Sequence, residues 1–330
     1  MFNKIYAFLR ENRKEIIIFL VLLVIFNISF PYYVDSPGGT LSLKKRFEVE
    51  NSREINGDIS LVYVAERRGT IPSILLSFLF KDWDLIKKEE VISPNENEKD
   101  VNTRGQINLN QSLNNAIVFA FKKAGKKFEI LSSKIYITYI AEEAKTDLKI
   151  GDEIIEIDGT KIKNKDEIFS ILERSEVGTK LEVIVLEKNK EKKKHFEIIE
   201  IEGMKKIGII IDTIYDYKLS QDVKYKSNSS EMGSSGGFAN ALYVYATLID
   251  EDIIKGRNVV ATGTITEDGV VGAIGGVKYK LKAALKSKAD IFFVPSYNCS
   301  EATKLKDENN YNINIICINN FDDAINYLKG

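Results

Sequence analysis

From Ile16 to Val34 the chain reads "IIIFLVLLVIFNISFPYYV", nineteen residues without a charge. No other stretch restricts the chain so strongly, because a segment inside a bilayer must satisfy its backbone polar groups internally. Built as one helix at about 1.5 Å per residue, the run would reach about 28 Å, close to the thickness of a hydrocarbon core. Lys4, Arg10, Arg13 and Lys14 precede it, and Tyr32 and Tyr33 stand where an aromatic belt would lie. The expectation is a retained single-pass anchor within residues 1–35, with the N-terminus cytoplasmic and the bulk of the chain outside. A cleaved signal peptide is the competing reading, since the strongly apolar part is short. Against it, no A-x-A-like site follows, and Pro31 and the two tyrosines are poor cleavage neighbours. Lys44, Lys45 and Arg46 on the far side weaken the charge asymmetry.

The 330 residues suffice for two domains, or for one domain with an insertion. A net charge of −1 gives no electrostatic footprint for nucleic acid. The basic run Lys188 to Lys194 is interleaved with glutamate and reads as a solvated hairpin. Two cysteines make no disulfide framework: Cys317, in "INIICI", reads as buried core, Cys299 reads as loop, and their pairing stays open. With one histidine and two scattered cysteines, cysteine-ligated zinc is not expected. No GxxxxGK followed by Ser or Thr occurs, so neither a nucleotide nor any other cofactor is expected.

Along the chain, "VDSPGGTLSL" is a punctuated exit segment and "DISLVYVAERRG" alternates like a strand. "IPSILLSFLF" and "LNQSLNNAIVFAFKKAG" have helical spacing, and the polar segment between them reads as loop. From Lys126 the texture becomes β-rich. Strand "SKIYITYI", a turn at Gly151, a tight Asp158-Gly159 turn, a short helix at 165–174 and a final hairpin follow in order. From Ile207 onward, strands and helices alternate with short connections, as in an α/β or α+β domain.

The chemistry centres on "EMGSSGGFANALYVYATLID", which begins at Glu231. Gly/Ser clusters are mostly turns, but this one opens what reads as an amphipathic helix over 237–249. A serine there has orphan N–H groups and the positive end of a helix dipole around it, and small neighbours let a substrate approach. Those are the needs of a nucleophile beside an oxyanion site. The single histidine, His195, lies in the charged run "EKNKEKKKHFE", so a Ser-His-Asp triad is not expected. The remaining activator is a lysine made less basic by desolvation or positive charge. In "GGVKYKLKAALKSK", Lys280 falls in the first turns of a helix, with apolar Ile274, Val277 and Leu281 to desolvate it. Lys282, Lys286 and Lys288 read as solvated.

Two resemblances follow from these motifs. "LKIGDEIIEIDGTKI", Leu148 to Ile162, with the helix after it, resembles a PDZ domain, although "LSSK" stands where a G-L-G-F-type carboxylate loop would precede Ile135. A PDZ unit implies capture of an extended segment by strand addition, with Ile135 and Ile137 as candidate contacts. "GSSGG" at Gly233 to Gly237, "TGTIT" at Thr262 to Thr266 and "GGVKYK" at Gly275 to Lys280 resemble the proteolytic domain of Lon proteases. That resemblance implies a Ser-Lys dyad of Ser235 and Lys280. It also gives Gly233 and Ser234 a part in the oxyanion site and Thr262 a part in positioning the lysine. Ser234 replaces the family's proline, and Met232 an aspartate. Val223 and Tyr225, in "DVKYKSNSS", are candidates for pairing with substrate.

The whole layout resembles the bacterial membrane-anchored, PDZ-containing Lon-like proteases. The implied fold is α+β: a Lon-type domain of mixed sheet and helices, a β-rich PDZ domain inserted in it, and one transmembrane helix. Residues 45–125 would form the N-terminal part of the protease, 126–203 the PDZ domain and 205–330 the dyad-bearing part, with a linear arrangement as the alternative. The implied function is ATP-independent serine endopeptidase activity outside the cytoplasm. Its partners would be flexible peptides or proteins and the lipid bilayer, with no nucleic acid or nucleotide and with room for a homo-oligomer. The rival is a non-catalytic PDZ scaffold or assembly factor on a protease-like fold.

Overall fold

A computed structural model describes residues 2–187 and 189–330, so Lys188 of the basic run lies outside the described residues. The chain divides into two compact units, residues 1–38 with 64–91, and residues 39–63 with 92–330.

In the first unit the apolar run does not form one long helix. Helices span Phe2–Glu11 and Arg13–Phe26, and a strand begins at Ser29. The expectation of one transmembrane helix is thereby corrected: among the described residues no helix is long and apolar enough to cross a membrane. Pro31 supplies the physical reason, because it lacks an N–H and drives the residue before it out of helical conformation. Tyr32, Tyr33, Val34 and Asp35 instead pair antiparallel with Lys87, Ile86, Leu85 and Asp84. The helix Ile71–Leu79 completes this unit, opened by a capping box between Thr70 and Ser73.

The second unit holds a sheet and its helices plus a β-rich part. Strand Asp58–Thr70, which belongs to this unit up to Tyr63, and strands Asn258–Ala261, Ile291–Pro295 and Ile315–Ile318 run parallel in that order. Their side chains alternate between two cores. Ile59, Val259, Ala261, Ile291 and Phe293 face one, and Val62, Val260, Phe292 and Val294 face the other. The helix Gly237–Leu248 lies in the first core with every residue buried. It is therefore enclosed all round and not amphipathic, as its run of Phe238, Ala239, Ala241, Leu242 and Val244 allows. The helix Val277–Lys286 covers the opposite face through Val277, Leu281, Ala283 and Ala284.

The helix read from "LNQSLNNAIVFAFKKAG" begins much earlier, at Glu98, and runs to Lys123. Its first turns are polar, so hydrophobic periodicity misses them. The signal was the Asn97–Asp100 capping box.

The β-rich part is an antiparallel sheet in the order Ile209–Leu219, Phe128–Ile140, Glu153–Ile157, Lys180–Glu187, Lys190–Glu197. Its core gathers Ile135, Ile137, Ile154, Ile157, Val183, Val185 and Phe196 under helix Lys165–Arg174. Four readings change. Strand Ile209–Leu219, read as the start of the C-terminal section, is an edge strand of this sheet. Lys194, read as solvated, is buried and paired with Asp152 Oδ2 at 2.6 Å and Glu187 Oε2 at 3.0 Å. Cys317 is exposed, not core, and is bonded to Cys299, which sits in helix Ser296–Glu308 and not in a loop.

Candidate active site

Ser235 stands two residues ahead of the buried helix Gly237–Leu248, which for clarity is called the serine helix. Its backbone is held from two sides. The Ser235 carbonyl accepts the Gly263 N–H at 2.8 Å and the Thr262 hydroxyl at 3.1 Å, both just past strand Asn258–Ala261. Phe238 N–H returns a bond to the Gly263 carbonyl at 2.9 Å. Gly263 has φ +148°, and a Cβ there would come 2.6 Å from Val271, so only glycine fits this latch.

The other side is the polar half of helix Glu98–Lys123. The Gly105 carbonyl accepts the Gly233 N–H at 2.9 Å, Gln106 Nε2 donates to the Glu231 carbonyl at 2.8 Å, and Ser112 Oγ donates to the Ser234 carbonyl at 2.9 Å. These contacts change the role of Gly233, because its N–H is taken by Gly105 and cannot serve an oxyanion. The N–H groups of Ser234, Ser235 and Gly236 have no acceptor among the described residues. They are the orphan donors of a helix N-terminus. Asn240, one turn further on and buried, has an Oδ1 without a hydrogen-bond partner.

Lys280 lies in the first turns of helix Val277–Lys286, and its N–H closes onto the Gly276 carbonyl at 3.1 Å. Its side chain is 3% exposed. Burial pushes its pKa down from 10.5 to about 8, so a useful fraction is neutral near physiological pH. Lys278 is half-exposed and lies over the Tyr279 ring at 5.6 Å. The loop entering this helix is fixed by Asn298, whose side chain takes both the N–H and the carbonyl of Ile274 at 2.9 and 3.0 Å. Thr262, fully buried, spends its hydroxyl proton on the serine turn.

The remaining candidates lie elsewhere. His195 is in the β-rich sheet, where its N–H meets Asp147 Oδ1 at 2.6 Å. Val223 and Tyr225 form a short strand already paired with Val49 and Phe47, and the Tyr225 hydroxyl donates to Glu231 at 3.1 Å. Ile135 and Ile137 point into the β-rich core, and their strand is flanked on both sides. They cannot pair with an added strand; the outer strands of the sheet are Ile209–Leu219 and Lys190–Glu197. The Ile209–Leu219 edge is closed at Tyr215, where Asn114 takes both the carbonyl and the N–H at 2.7 and 3.0 Å. Sequence reading missed Gly105, Ser112, Asn114 and Asn298, whose partners are all backbone groups brought close only by the fold.

Residues 229–329 match the family model of the Lon protease (S16) C-terminal proteolytic domain. The C-terminal third is thus similar to a serine peptidase domain. The Lon protease of Aster yellows witches'-broom phytoplasma (strain AYWB) is 34% identical over 92 residues, which cover 28% of this chain. The chain spans 11% of the length of that relative. Among solved structures, the PDZ domain of an SdrC-like protein from Listeria innocua is 26% identical. It covers 24% of this chain and 92% of its own, with a TM-score of 0.22. The corresponding domain from Listeria monocytogenes is 22% identical, covering 23% of this chain and 85% of its own, with a TM-score of 0.22.

Proposed function

We propose that the chain is a serine endopeptidase that cuts flexible peptide or protein segments without ATP, using Ser235 as nucleophile and Lys280 as its base. The observation that carries this reading is the burial of Lys280, which leaves an amine titrating at about 8 in the part of the chain similar to a proteolytic domain. An amine of that kind can accept a proton at neutral pH, which a solvated lysine cannot. The neutral Nζ takes the Ser235 Oγ proton as Oγ bonds to the peptide carbonyl carbon. The carbonyl π pair moves to oxygen, toward the unpaired N–H groups at Ser234, Ser235 and Gly236. As the oxyanion collapses, the C–N bond breaks and Lys280 passes its proton to the leaving amine. Water then hydrolyses the Ser235 ester with the same base.

The chain would act on the outer side of a membrane, attached through its N-terminal apolar helix. The Cys299–Cys317 disulfide supports an oxidising compartment. Independence from ATP is supported by the lack of a GxxxxGK sequence in the chain.

The test is cleavage of an unstructured peptide, and labelling by a fluorophosphonate or β-lactone probe, without nucleotide. Wild type, Ser235→Ala, Lys280→Arg and Lys278→Arg are compared, with circular dichroism as folding control. Ser235→Ala and Lys280→Arg should each lose at least about 10² in rate, while Lys278→Arg stays active. A wild type inert to both peptide and probe would favour the scaffold reading, and an active Lys280→Arg would remove the dyad.

A further inference from the structure

Helix Ile71–Leu79 carries apolar residues at Ile71, Ile74, Leu75, Phe78 and Leu79, the i, i+3, i+4, i+7, i+8 spacing that normally marks a core-facing stripe. Here Ile71 and Ile74 are half-buried and the rest of the stripe faces outward. Leu75 is 58% exposed, Phe78 and Leu79 are each 76% exposed, and Phe80 beyond the helix end is 50% exposed. The one buried residue of the helix is Ser73, turned back into its own capping box. Ten successive residues, Ile71 to Phe80, carry no charge. A contiguous apolar patch of this kind on a folded unit marks a surface that something covers.

Within the same unit this helix packs beside Arg13–Phe26, in which no residue is buried. That neighbour is uncharged from Ile16 to Phe26 and apolar around its whole circumference. A second protein copy would cover one face of such a helix, whereas lipid covers all of them. At about 1.5 Å per residue, its 14 residues reach only about 21 Å, and the nine of Ile71–Leu79 about 13 Å. Both are too short to cross a bilayer and long enough to lie in one leaflet. The end of the patch has the chemistry of a membrane interface. Lys81 is exposed, the Trp83 ring lies 5.4 Å from Phe80, and the Arg67 guanidinium sits 5.2 Å over that indole.

We infer that helix Ile71–Leu79 with Phe80 is a second membrane-contacting element, lying in the bilayer interface beside the N-terminal helix with Trp83 at headgroup level. The inference rests on the reading that the chain attaches to a membrane, and it adds that attachment is through two elements from distant parts of the sequence. A chain tethered by one helix can swing; one gripped at two places holds this unit in one orientation on the lipid.

Trp83 is the chain's single tryptophan, so it reports on its own surroundings. The full chain is reconstituted into phosphatidylcholine–phosphatidylglycerol vesicles with bromines at shallow or deep acyl positions, and vesicle flotation is scored in parallel. Trp83 emission should shift to the blue on vesicle addition and be quenched more by shallow than by deep bromines. The triple variant Leu75→Ser, Phe78→Ser, Leu79→Ser should still float, fold and label at Ser235, but lose at least about threefold of the quenching. A chain that floats with Trp83 unquenched overturns the inference and leaves membrane attachment standing. A chain that does not float removes both. A blue shift that needs no lipid but depends on protein concentration assigns the patch to a second copy and also overturns it.

Discussion

The Thr262 hydroxyl donates to the Ser235 carbonyl at 3.1 Å, and the next residue's N–H, from Gly263, meets the same oxygen at 2.8 Å. Two donors on one carbonyl leave the serine turn little freedom, so the direction of the Ser235 side chain is set by a loop on the far side of strand Asn258–Ala261. Thr262→Val keeps the shape and removes one donor. Losing one neutral hydrogen bond is worth about 1 kcal/mol, or about fivefold. Acylation of Ser235 by a small probe should slow by about fivefold, with the melting temperature lowered by at most about 4 °C. The pH dependence should keep its midpoint, because the base is untouched; a displaced midpoint would instead tie Thr262 to Lys280.

Burial of Lys280 also makes a statement about stability. Its folded pKa, about 8, lies below the ordinary 10.5, so folding must discharge or bury the cation. The cost is fully present below pH 8 and fades as pH rises toward 10.5, where the unfolded chain also loses its proton. A shift of this size corresponds to about 3 kcal/mol. Lys280→Met should therefore be inactive yet more stable than wild type at pH 7, by a margin that shrinks toward alkaline pH. Chemical denaturation at pH 7 and at pH 10 measures both. A variant less stable at pH 7 would mean that the amine is well solvated in the folded chain. For the wild type, acylation should rise with pH through a midpoint near 8.

What the sequence made readable follows from the range of the forces involved. Ser235 and Lys280 could be singled out because each depends on neighbours in the chain. Glycines flank the serine before an apolar run, and Val277, about one helical turn back, and the adjacent Leu281 flank the lysine. The β-rich turns at Gly151 and Asp158-Gly159 were local too. Contacts between distant segments were not readable: Ser112 reaching Ser234, Asn114 closing the edge at Tyr215, and strand Ile209–Leu219 joining a sheet that begins at residue 128. The length of the apolar helix was misjudged for a local reason. Hydropathy averages over Pro31, whereas the backbone does not.

Gly237 offers a test of how tightly the serine helix meets its neighbours. A Cβ at this position would lie 2.6 Å from Ser112 Oγ and 3.2 Å from the Ile265 nitrogen. Alanine is the better helix former by about 1 kcal/mol, yet overpacking costs about 1–3 kcal/mol, so sterics should win. Gly237→Ala should destabilise the chain and slow Ser235 acylation, because Ser112 is driven off the Ser234 carbonyl. Ser112→Ala alone should cost about 1 kcal/mol through the lost bond. In the double variant the clash is largely relieved, so the two losses should sum to less than their parts by about 1 kcal/mol. Strict additivity in urea melts would mean that the helix yields elsewhere.

The last relationship runs along helix Glu98–Lys123, which touches both the serine turn and the edge strand. Ser112 holds the Ser234 carbonyl, and two residues later Asn114 takes the backbone of Tyr215. A helix is stiff over two residues, so a change at one contact should be felt at the other. Asn114→Leu leaves the Tyr215 N–H and carbonyl unpaired, at a cost of about 1–3 kcal/mol. Exchange of the Tyr215 amide proton should accelerate at least about tenfold, in keeping with a loss of 1.4 kcal/mol or more. Acylation of Ser235 by a small probe should fall by about threefold, less than in Ser112→Ala, since the direct contact survives. Amide exchange by NMR and probe kinetics on the same preparation decide the matter. Faster exchange with unchanged acylation would show that the edge strand and the serine turn share a helix without sharing energy. Loss of both would show that the edge strand and the serine turn are coupled through that helix.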